Sequence, residues 1–346
     1  MAILQADDIA DLIKVTQKDL GKLRWTEIAT DIQEYVALPS ILQSEKVSYQ
    51  SGYGIQWNVM VDTSGAAKDT GLFAVDSVNV GDVMQTASAP WRHLTTNYAI
   101  ERREVAMNRD PARIVELVRI RRADAMIDLA KHMETRFWAR PDSASDTEKL
   151  YGVKYWITSG GSDEGFTGGA AYGSTVADIN PSTYTNWKNY SARYAAVSST
   201  DLIRDWRKAA TFTQFKSPVD IPSYNTGSRY GYYTNYNVIG PLEEVLESQN
   251  DNLGNDIASK DGKLLFRQVP VTWVPHLENT AGDPIYGINW GVFKPVFLSG
   301  EYMKEDGPTT APNQHTVFQT FVDCTMNLMC TDRRRNFILA TSSYSN

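Results

Sequence analysis

Cysteine is nearly absent from this 346-residue sequence, which has 2, and histidine is scarce at 4. Two thiols cannot supply the multi-bridge framework on which small secreted domains depend. Cys324 and Cys330 also lie in a stretch that reads as extended, which separates them by ~20 Å, well beyond the ~7 Å Cα spacing that a bridge allows. They are expected to be reduced and buried. His93, His132, His276 and His315 are isolated from one another, and neither HExxH nor CxxC occurs, so no metal ligand set is legible.

Phosphate-binding glycine patterns are missing as well. No G-x-x-x-x-G-K-[ST] loop occurs, and Gly52-Tyr53-Gly54 is followed by Ile55, Gln56 and Trp57, so it lacks the third glycine of a dinucleotide fingerprint. The loop Gly160-Gly161-Ser162-Asp163-Glu164-Gly165 does not have the nucleophile-elbow pattern. No pair of carboxylates stands out. No catalytic, cofactor-binding or metal-binding residue is therefore nominated, and an enzyme is not expected.

No stretch approaches the ~18–20 apolar residues of a membrane-spanning helix. The opening MAILQADDIADLI lacks the basic start, long apolar core and cleavage site of a secretory leader, so production in a cytoplasm is the expectation. There is no basic block at either end, and 34 Lys+Arg against 41 Asp+Glu leave a net charge of −7. Gripping nucleic acid by phosphate neutralisation needs the opposite balance. With 42% hydrophobic residues the chain can still bury a sizeable core, and its length allows about two domains.

What is present is periodicity. Residues 7–35 read as helix: Ile9, Leu12, Ile13 and Leu20 fall at helical spacing, Ile28, Ile32 and Tyr35 continue after Gly21, and Leu38-Pro39 ends the segment. From Val47 the odd positions Val47, Tyr49, Tyr53, Ile55, Trp57, Val59 and Val61 are apolar while most even ones are polar, an alternation longer than the ~3–10 residues of an ordinary strand. A stretch of small residues over 63–71 follows, and a second extended run reaches from Leu72 to Val83, with a phase shift near Ser77 of the kind a bulge produces. The expectation is a long β-hairpin with its tip near Lys68. A strand of ~15 residues spans ~50 Å, longer than the radius of the body, and a two-stranded ribbon is only marginally stable by itself. The ribbon is expected to leave its own subunit and lie on a neighbour.

A third strand carries Leu94, Thr96, Tyr98 and Ile100 on one face. Asp110-Pro111, an N-cap residue followed by Pro at the first helical position, then opens a helix. Its stripe of Ile114, Leu117, Val118, Ala125, Leu129 and Met133 runs to about Phe137, where Arg140-Pro141 stops it, for a length of ~40 Å. The other face interleaves Arg119, Arg121, Arg122 and Lys131 with Glu116, Asp124, Asp128 and Glu134, which reads as a solvated or subunit-facing surface with short-range ion pairs.

Residues 150–265 are rich in Gly, Tyr, Ser and Asn and carry two helices. One starts near Thr200 with Leu202, Trp206, Ala209 and Ala210 on a face, the other at Gly240-Pro241 with Leu242, Val245 and Leu246. Extended runs return at 264–275, 284–290 and 316–339; in the last, Phe318, Val322, Cys324, Met326, Leu328 and Cys330 share one face. Tyr224, Tyr230, Tyr232, Tyr233 and Tyr236 are of a type that stacks on sugars, but packing within β structure is the expected role.

This α+β order of arm helix, long hairpin, long helix, mixed module and returning strands resembles the major capsid proteins of tailed double-stranded DNA bacteriophages, whose architecture is the Hong Kong 97-type fold. Three stretches look familial: 262–271 (GKLLFRQVPV), 285–290 (IYGINW), and 321–335 with Cys324 and Arg333-Arg334-Arg335. The resemblance covers nearly the whole chain. It implies an N-terminal arm over 1–46, an extended loop over 47–93, a peripheral domain over 94–149 with its spine helix at 110–137, an axial domain over 150–265, and a return to the peripheral sheet over 266–346.

The function implied is structural: self-assembly as pentamers and hexamers of an icosahedral head shell around packaged double-stranded DNA, in the virion, after assembly in the host bacterial cytoplasm. The resemblance further implies no cofactor, no membrane, a separate scaffolding protein in place of a long cleaved prosegment, a portal, a decoration protein, and DNA contacted weakly and non-specifically. Assembly residues are expected at the loop tip (Ser64, Gly65, Lys68, Asp69) and on the spine helix (Glu116, Arg119, Arg121, Arg122, Asp124, Asp128), with Arg333, Arg334 and Arg335 as basic residues facing the lumen. Lys68 has no legible Asn or Glu partner for the crosslinking some members perform. An encapsulin-like compartment is the alternative within the fold; an aromatic-rich carbohydrate-binding or glycosidase protein is the more distant one.

Overall fold

From Gly54 burial follows the expected alternation, with Ile55, Trp57 and Val61 turned into the body and Gln56 and Asn58 facing solvent, but the long strand expected from Val47 is broken at 51–53 and Tyr49 and Tyr53 are exposed. The computed structural model describes residues 34–42, 48–72, 81–107, 111–161, 164–215, 230–248 and 264–346. Nearly all of the helix expected over 7–35 lies outside these residues, as do Ser77, Asp110 and Tyr224. A turn of helix, α1 (Leu38–Ile41), precedes β1 (Ser48–Gln50), the paired strands β2 (Gly54–Met60) and β3 (Met84–Pro90), β4 (Arg92–Glu101), the short α2 (Arg102–Met107) and the 28-residue α3 (Pro111–Trp138). Then come α4 (Val153–Trp156), β5 (Gly165–Gly168), β6 (Asn189–Arg193), α5 (Leu202–Phe212), β7 (Tyr230–Thr234) and α6 (Tyr236–Ser248). The last third holds β8 (Leu265–Phe266), β9 (Val269–Trp273), β10 (Ile285–Asn289), β11 (Phe293–Leu298), β12 (Lys304–Ala311), β13 (Gln314–Cys330) and β14 (Phe337–Ala340).

These strands make three sheets. One runs β1-β11-β13-β12 with β4 also on β13, one runs β5-β6-β14-β10-β7-β9-β8, and β2 pairs with β3. The seven-stranded sheet is a wall between two cores, because alternate side chains of each strand point to opposite faces. Tyr232, Ile285, Phe337 and Leu339 face α5 and α6, with Trp206, Val238 and Leu242 against them. Tyr233, Tyr286, Ile288, Ile338 and Ala340 face the other way, into the core that holds α3 and the five-stranded sheet. There Trp138, the last residue of α3, sits 5.4 Å from Tyr233 and 6.4 Å from Tyr286 between ring centroids.

The stripe expected on α3 is the buried one: Leu117, Ala125, Leu129, Met133 and Phe137 all face the core. Both cysteines stand buried and unbridged along β13. Burial pushes the Cys324 thiol up to about 11 and raises that of Cys330 as well, so neither is a nucleophile near neutral pH.

Four expectations are corrected. The extended run over 316–339 is two strands, since β13 ends at Cys330 and β14 begins at Phe337 after a short 3-10 turn. Residues 266–346 do not return to one sheet: β9, β10 and β14 join the seven-stranded sheet, whereas β11, β12 and β13 join the five-stranded one. Helix α6 starts at Tyr236, placing Pro241 in its second turn, where the missing N–H deprives the Asn237 carbonyl of its helical donor. Glu134 belongs to no solvated face; it is fully buried. Tyr232 and Tyr233 are core residues, as packing rather than sugar stacking requires, and Tyr236 alone of the described group is largely exposed.

The end of α3 is closed by a glycine at a tight approach. A Cβ on Gly152 would lie 2.3 Å from the Ala139 carbonyl oxygen and 2.4 Å from that of Arg136, both backbone atoms that cannot swing aside. Gly152→Ala is expected to cost about 1–3 kcal/mol, read as a shifted denaturant midpoint.

Candidate assembly surfaces

The hairpin is anchored at its base and unsupported beyond it. Its register sets Gly54 opposite Pro90 and Met60 opposite Met84, and the Val61 amide donates to the Val83 carbonyl at 3.0 Å. Paired with β2 is Met84–Pro90, and most of the run expected over 72–83 lies outside the described residues. Residues 73–80 are outside the described segments.

Nor does the whole ribbon leave the body. Ile55, Trp57, Val61, Ala87 and Ala89 belong to the main core, and Trp57 packs on Trp156 at 6.1 Å. A collar from 177–186 holds the same level: the Ser88 amide donates to the Ala177 carbonyl at 3.1 Å, Gln85 Nε2 to the Tyr184 hydroxyl at 3.0 Å and Asn186 Nδ2 to the Val61 carbonyl at 3.1 Å, and the Ser88 hydroxyl donates to Asp178. Past Val61 every residue from 62 to 72 is exposed, including the nominated Ser64, Gly65, Lys68 and Asp69. Only this outer part projects.

The charges of α3 divide into two groups. Arg121 donates to both oxygens of Glu104, at 2.8 and 2.7 Å, and to the Ala99 carbonyl at 2.8 Å, fastening the helix to β4. Arg122 Nε donates to Glu305 on β12 at 2.7 Å, and that carboxylate raises the Arg122 pKa. Both arginines thus have partners within the chain, Glu104 and Glu305, and Arg122 stays exposed beside its partner. Arg119, Asp124 and Asp128 are exposed, and the Glu116 side chain is outside the described set.

The basic run Arg333–Arg335 is also reassigned. Arg333 is 1% exposed; its guanidinium donates to the carbonyls of Trp156 at 2.8 Å, Trp187 at 2.7 Å and Gly169 at 2.8 Å, and to Asn189 Oδ1 at 3.1 Å. Burial lowers its pKa to about 10. Arg335 is buried beside Asp332 at 3.4 Å, and Arg334 makes paired bonds to Asp332 at 3.1 and 3.2 Å while lying over the Phe215 ring. Buried Arg333 and Arg335 offer no basic surface, and of the three only Arg334 keeps part of its side chain exposed.

Among the buried charged groups that the sequence reading missed, Glu134 and Arg92 gather the most backbone partners. Glu134 Oε1 accepts the amides of Val36 at 3.0 Å and Ala37 at 2.7 Å and the Trp138 indole N–H at 2.7 Å, while Oε2 accepts the Leu38 amide at 2.7 Å. It ties the segment leaving the arm to α3, next to the Lys131–Glu34 ion pair at 3.3 Å. The signal was its place between Met133, Phe137 and Trp138 on the apolar side of the helix. Arg92, 6% exposed, likewise gathers the carbonyls of Asp146, Thr147 and Lys149.

Neither a protein-family model nor a curated protein sequence matches the chain. Solved structures do. The capsid asymmetric unit of cyanophage A-1(L) is similar at 14% identity and a TM-score of 0.57, over 95% of this chain and 99% of that one. The capsid of a native GTA particle gives 12% identity and a TM-score of 0.57 over 95% and 99% of the two chains. The holo-SrpI encapsulin complex of Synechococcus elongatus PCC 7942 gives 11% identity and a TM-score of 0.50 over 95% and 96%. Identities this low speak to architecture, and an anchored hairpin, a 28-residue helix and two sheets sharing a core, matched end to end, place the chain in the Hong Kong 97-type fold.

Proposed function

We propose that the chain is the major structural subunit of an icosahedral phage head shell, with no enzymatic role, built from pentamers and hexamers of itself around packaged double-stranded DNA and assembled in the host cytoplasm. The observation that carries this reading is the projecting loop: eleven consecutive exposed residues, 62–72, leave a base that is held in the core. A segment of that kind gains little within one subunit and has a use only against another molecule. End-to-end similarity to shell proteins supports the same conclusion. Within it, 47–93 acts as the extended loop, 94–149 and the five-stranded sheet as the peripheral region, and 150–265 with β9, β10 and β14 as the axial region. A separate scaffolding protein, a portal and a decoration protein complete the partner set, and the −7 charge suits a wall that encloses DNA without gripping it.

Expressed alone or with its scaffold, the protein should form closed uniform shells by negative-stain microscopy; monomers under every assembly condition would overturn the reading. Deleting 62–71 should leave a folded subunit with an unchanged melting transition and abolish or weaken shells, since none of those side chains is buried. Loss of folding instead would assign the loop to the subunit's own core.

An encapsulin-like compartment is the second reading, favoured by the similarity to the Synechococcus complex. Purified particles that carry a cargo enzyme and lack a portal vertex would select it over a phage head.

A further inference from the structure

The outward face of the β2–β3 hairpin changes chemistry where its anchored base ends. Alternate residues share that face, and the register pairs them in rungs: Gln56 with Ser88, Asn58 with Thr86, Met60 with Met84. The first two rungs are polar. The third is a pair of thioethers, 56% and 48% exposed. Because the Val61 amide bonds to the Val83 carbonyl, Met60 and Met84 form a non-hydrogen-bonded pair, the kind whose side chains stand closest. The strands stay side by side beyond them, since a Cβ on Gly81 would lie 3.2 Å from the Ser64 Cα. Extending the register sets Asp62 against Asp82, both exposed, as the next rung on the same face.

Two carboxylates opposite each other across a ladder repel, and among the described residues neither is ion-paired. Asp62 Oδ1 accepts the Thr63 amide at 2.8 Å and Asp82 Oδ2 accepts Gln85 Nε2 at 3.2 Å, so each carboxylate has a second oxygen to offer. We propose that these four side chains bind a soft monovalent cation of the copper(I) class, with Met60 and Met84 as ligands and Asp62 and Asp82 supplying the charge. Thioether sulfur selects copper(I) over hard cations, and two donors facing each other on one rung suit an ion content with few ligands. A single positive charge beside the Asp62–Asp82 rung relieves its repulsion. Calcium or magnesium would leave both sulfurs idle and find two carboxylates where it needs about six oxygens. The site does not depend on the shell reading.

Silver(I), which does not change oxidation state here, is the probe. The full-length protein, isotope-labelled at its methionine methyl groups, is titrated with silver nitrate in chloride-free buffer and followed by NMR. Of the 9 methionine signals, those of Met60 and Met84 should move together and saturate, while calcium moves neither. Met60→Leu and Met84→Leu should each weaken binding about 30-fold or more. Asp62→Asn and Asp82→Asn should weaken it about fivefold each, the scale of one unit charge at ~4 Å in water, and less at high salt. All four variants are expected to melt like the wild type, because the side chains are exposed. Met60 and Met84 signals that stay in place would overturn the site, and silver taken up only by the buried thiols counts as that same failure. Single-methionine variants that bind as tightly as the wild type would overturn the paired ligation. If a leucine variant folds poorly, the wild-type titration still decides.

Discussion

Arg333→Met should destabilise the subunit by about 3–5 kcal/mol, a shift of about 5–10 °C in the unfolding midpoint. The guanidinium is a buried cation whose bonded partners are neutral: three backbone carbonyls and the Asn189 side chain. These acceptors come from α4 (Trp156), the segment after β5 (Gly169) and the start of β6 with the residues just before it (Trp187, Asn189), so one side chain on the turn before β14 joins three separate stretches of chain. Methionine fills a similar volume but takes the guanidinium donor from the Trp156 and Trp187 carbonyls, at about 1–3 kcal/mol for each that water cannot reach, while Thr158 still donates to the Gly169 carbonyl and to Asn189 Oδ1. Arg333→Lys is expected to rescue little, because an ammonium has no planar fork to span acceptors on several sides. A stability loss of this size is a large part of the ~5–15 kcal/mol that holds a domain folded, so low soluble yield should accompany it. A methionine variant within about 0.5 kcal/mol of the wild type would show that the carbonyls are satisfied without the cation.

Glu134→Gln should release the arm while the body stays folded. Four donors converge on this carboxylate, three of them consecutive amides. The amide of glutamine can still accept through one oxygen, but its NH2 group must then meet an N–H head on, and that lost bond and new clash cost about 2–4 kcal/mol. The effect is local. Hydrogen exchange at the Val36, Ala37 and Leu38 amides should accelerate by about 30- to 1000-fold, with amides of β13 unchanged. Glu134→Ala should do the same and further expose the Trp138 indole. Equal acceleration throughout the protein would mean that the clamp supports the whole fold instead.

Where the sequence carried a strong period, the structure was legible in it. Strand β2, the long stripe of α3 and the helical face of α5 follow from spacing, because each is decided by which residues can share one face; on β13 the expected face is buried from Val322 to Cys330, but Phe318 is exposed and Thr325, Asn327 and Met329 of the other face are buried too. Sheet membership was not, since β10 and β14 go to one sheet and β11 to β13 to the other through pairings between distant residues. The charged positions were the least legible. Arg121 and Arg122 look like neighbours on a solvated helix, and nothing local reveals that Glu104 and Glu305 await them. Arg333 sits in a run of three arginines that reads as surface, and its burial depends on carbonyls contributed by segments more than a hundred residues earlier.

The threading of the last third through both sheets bears on when a subunit becomes competent during synthesis. Strand β13 is the middle of the five-stranded sheet and β14 is interior to the seven-stranded one, between β6 and β10. Until the ribosome has released both, neither sheet can close, and the ribbon's collar has no finished body behind it. Contacts of such long sequence separation also form late and slowly. A nascent chain on a polysome, crowded by identical neighbours, therefore exposes a loop but no completed surface to receive one. Under the proposed shell reading, order of translation alone would delay association until both strands have been made.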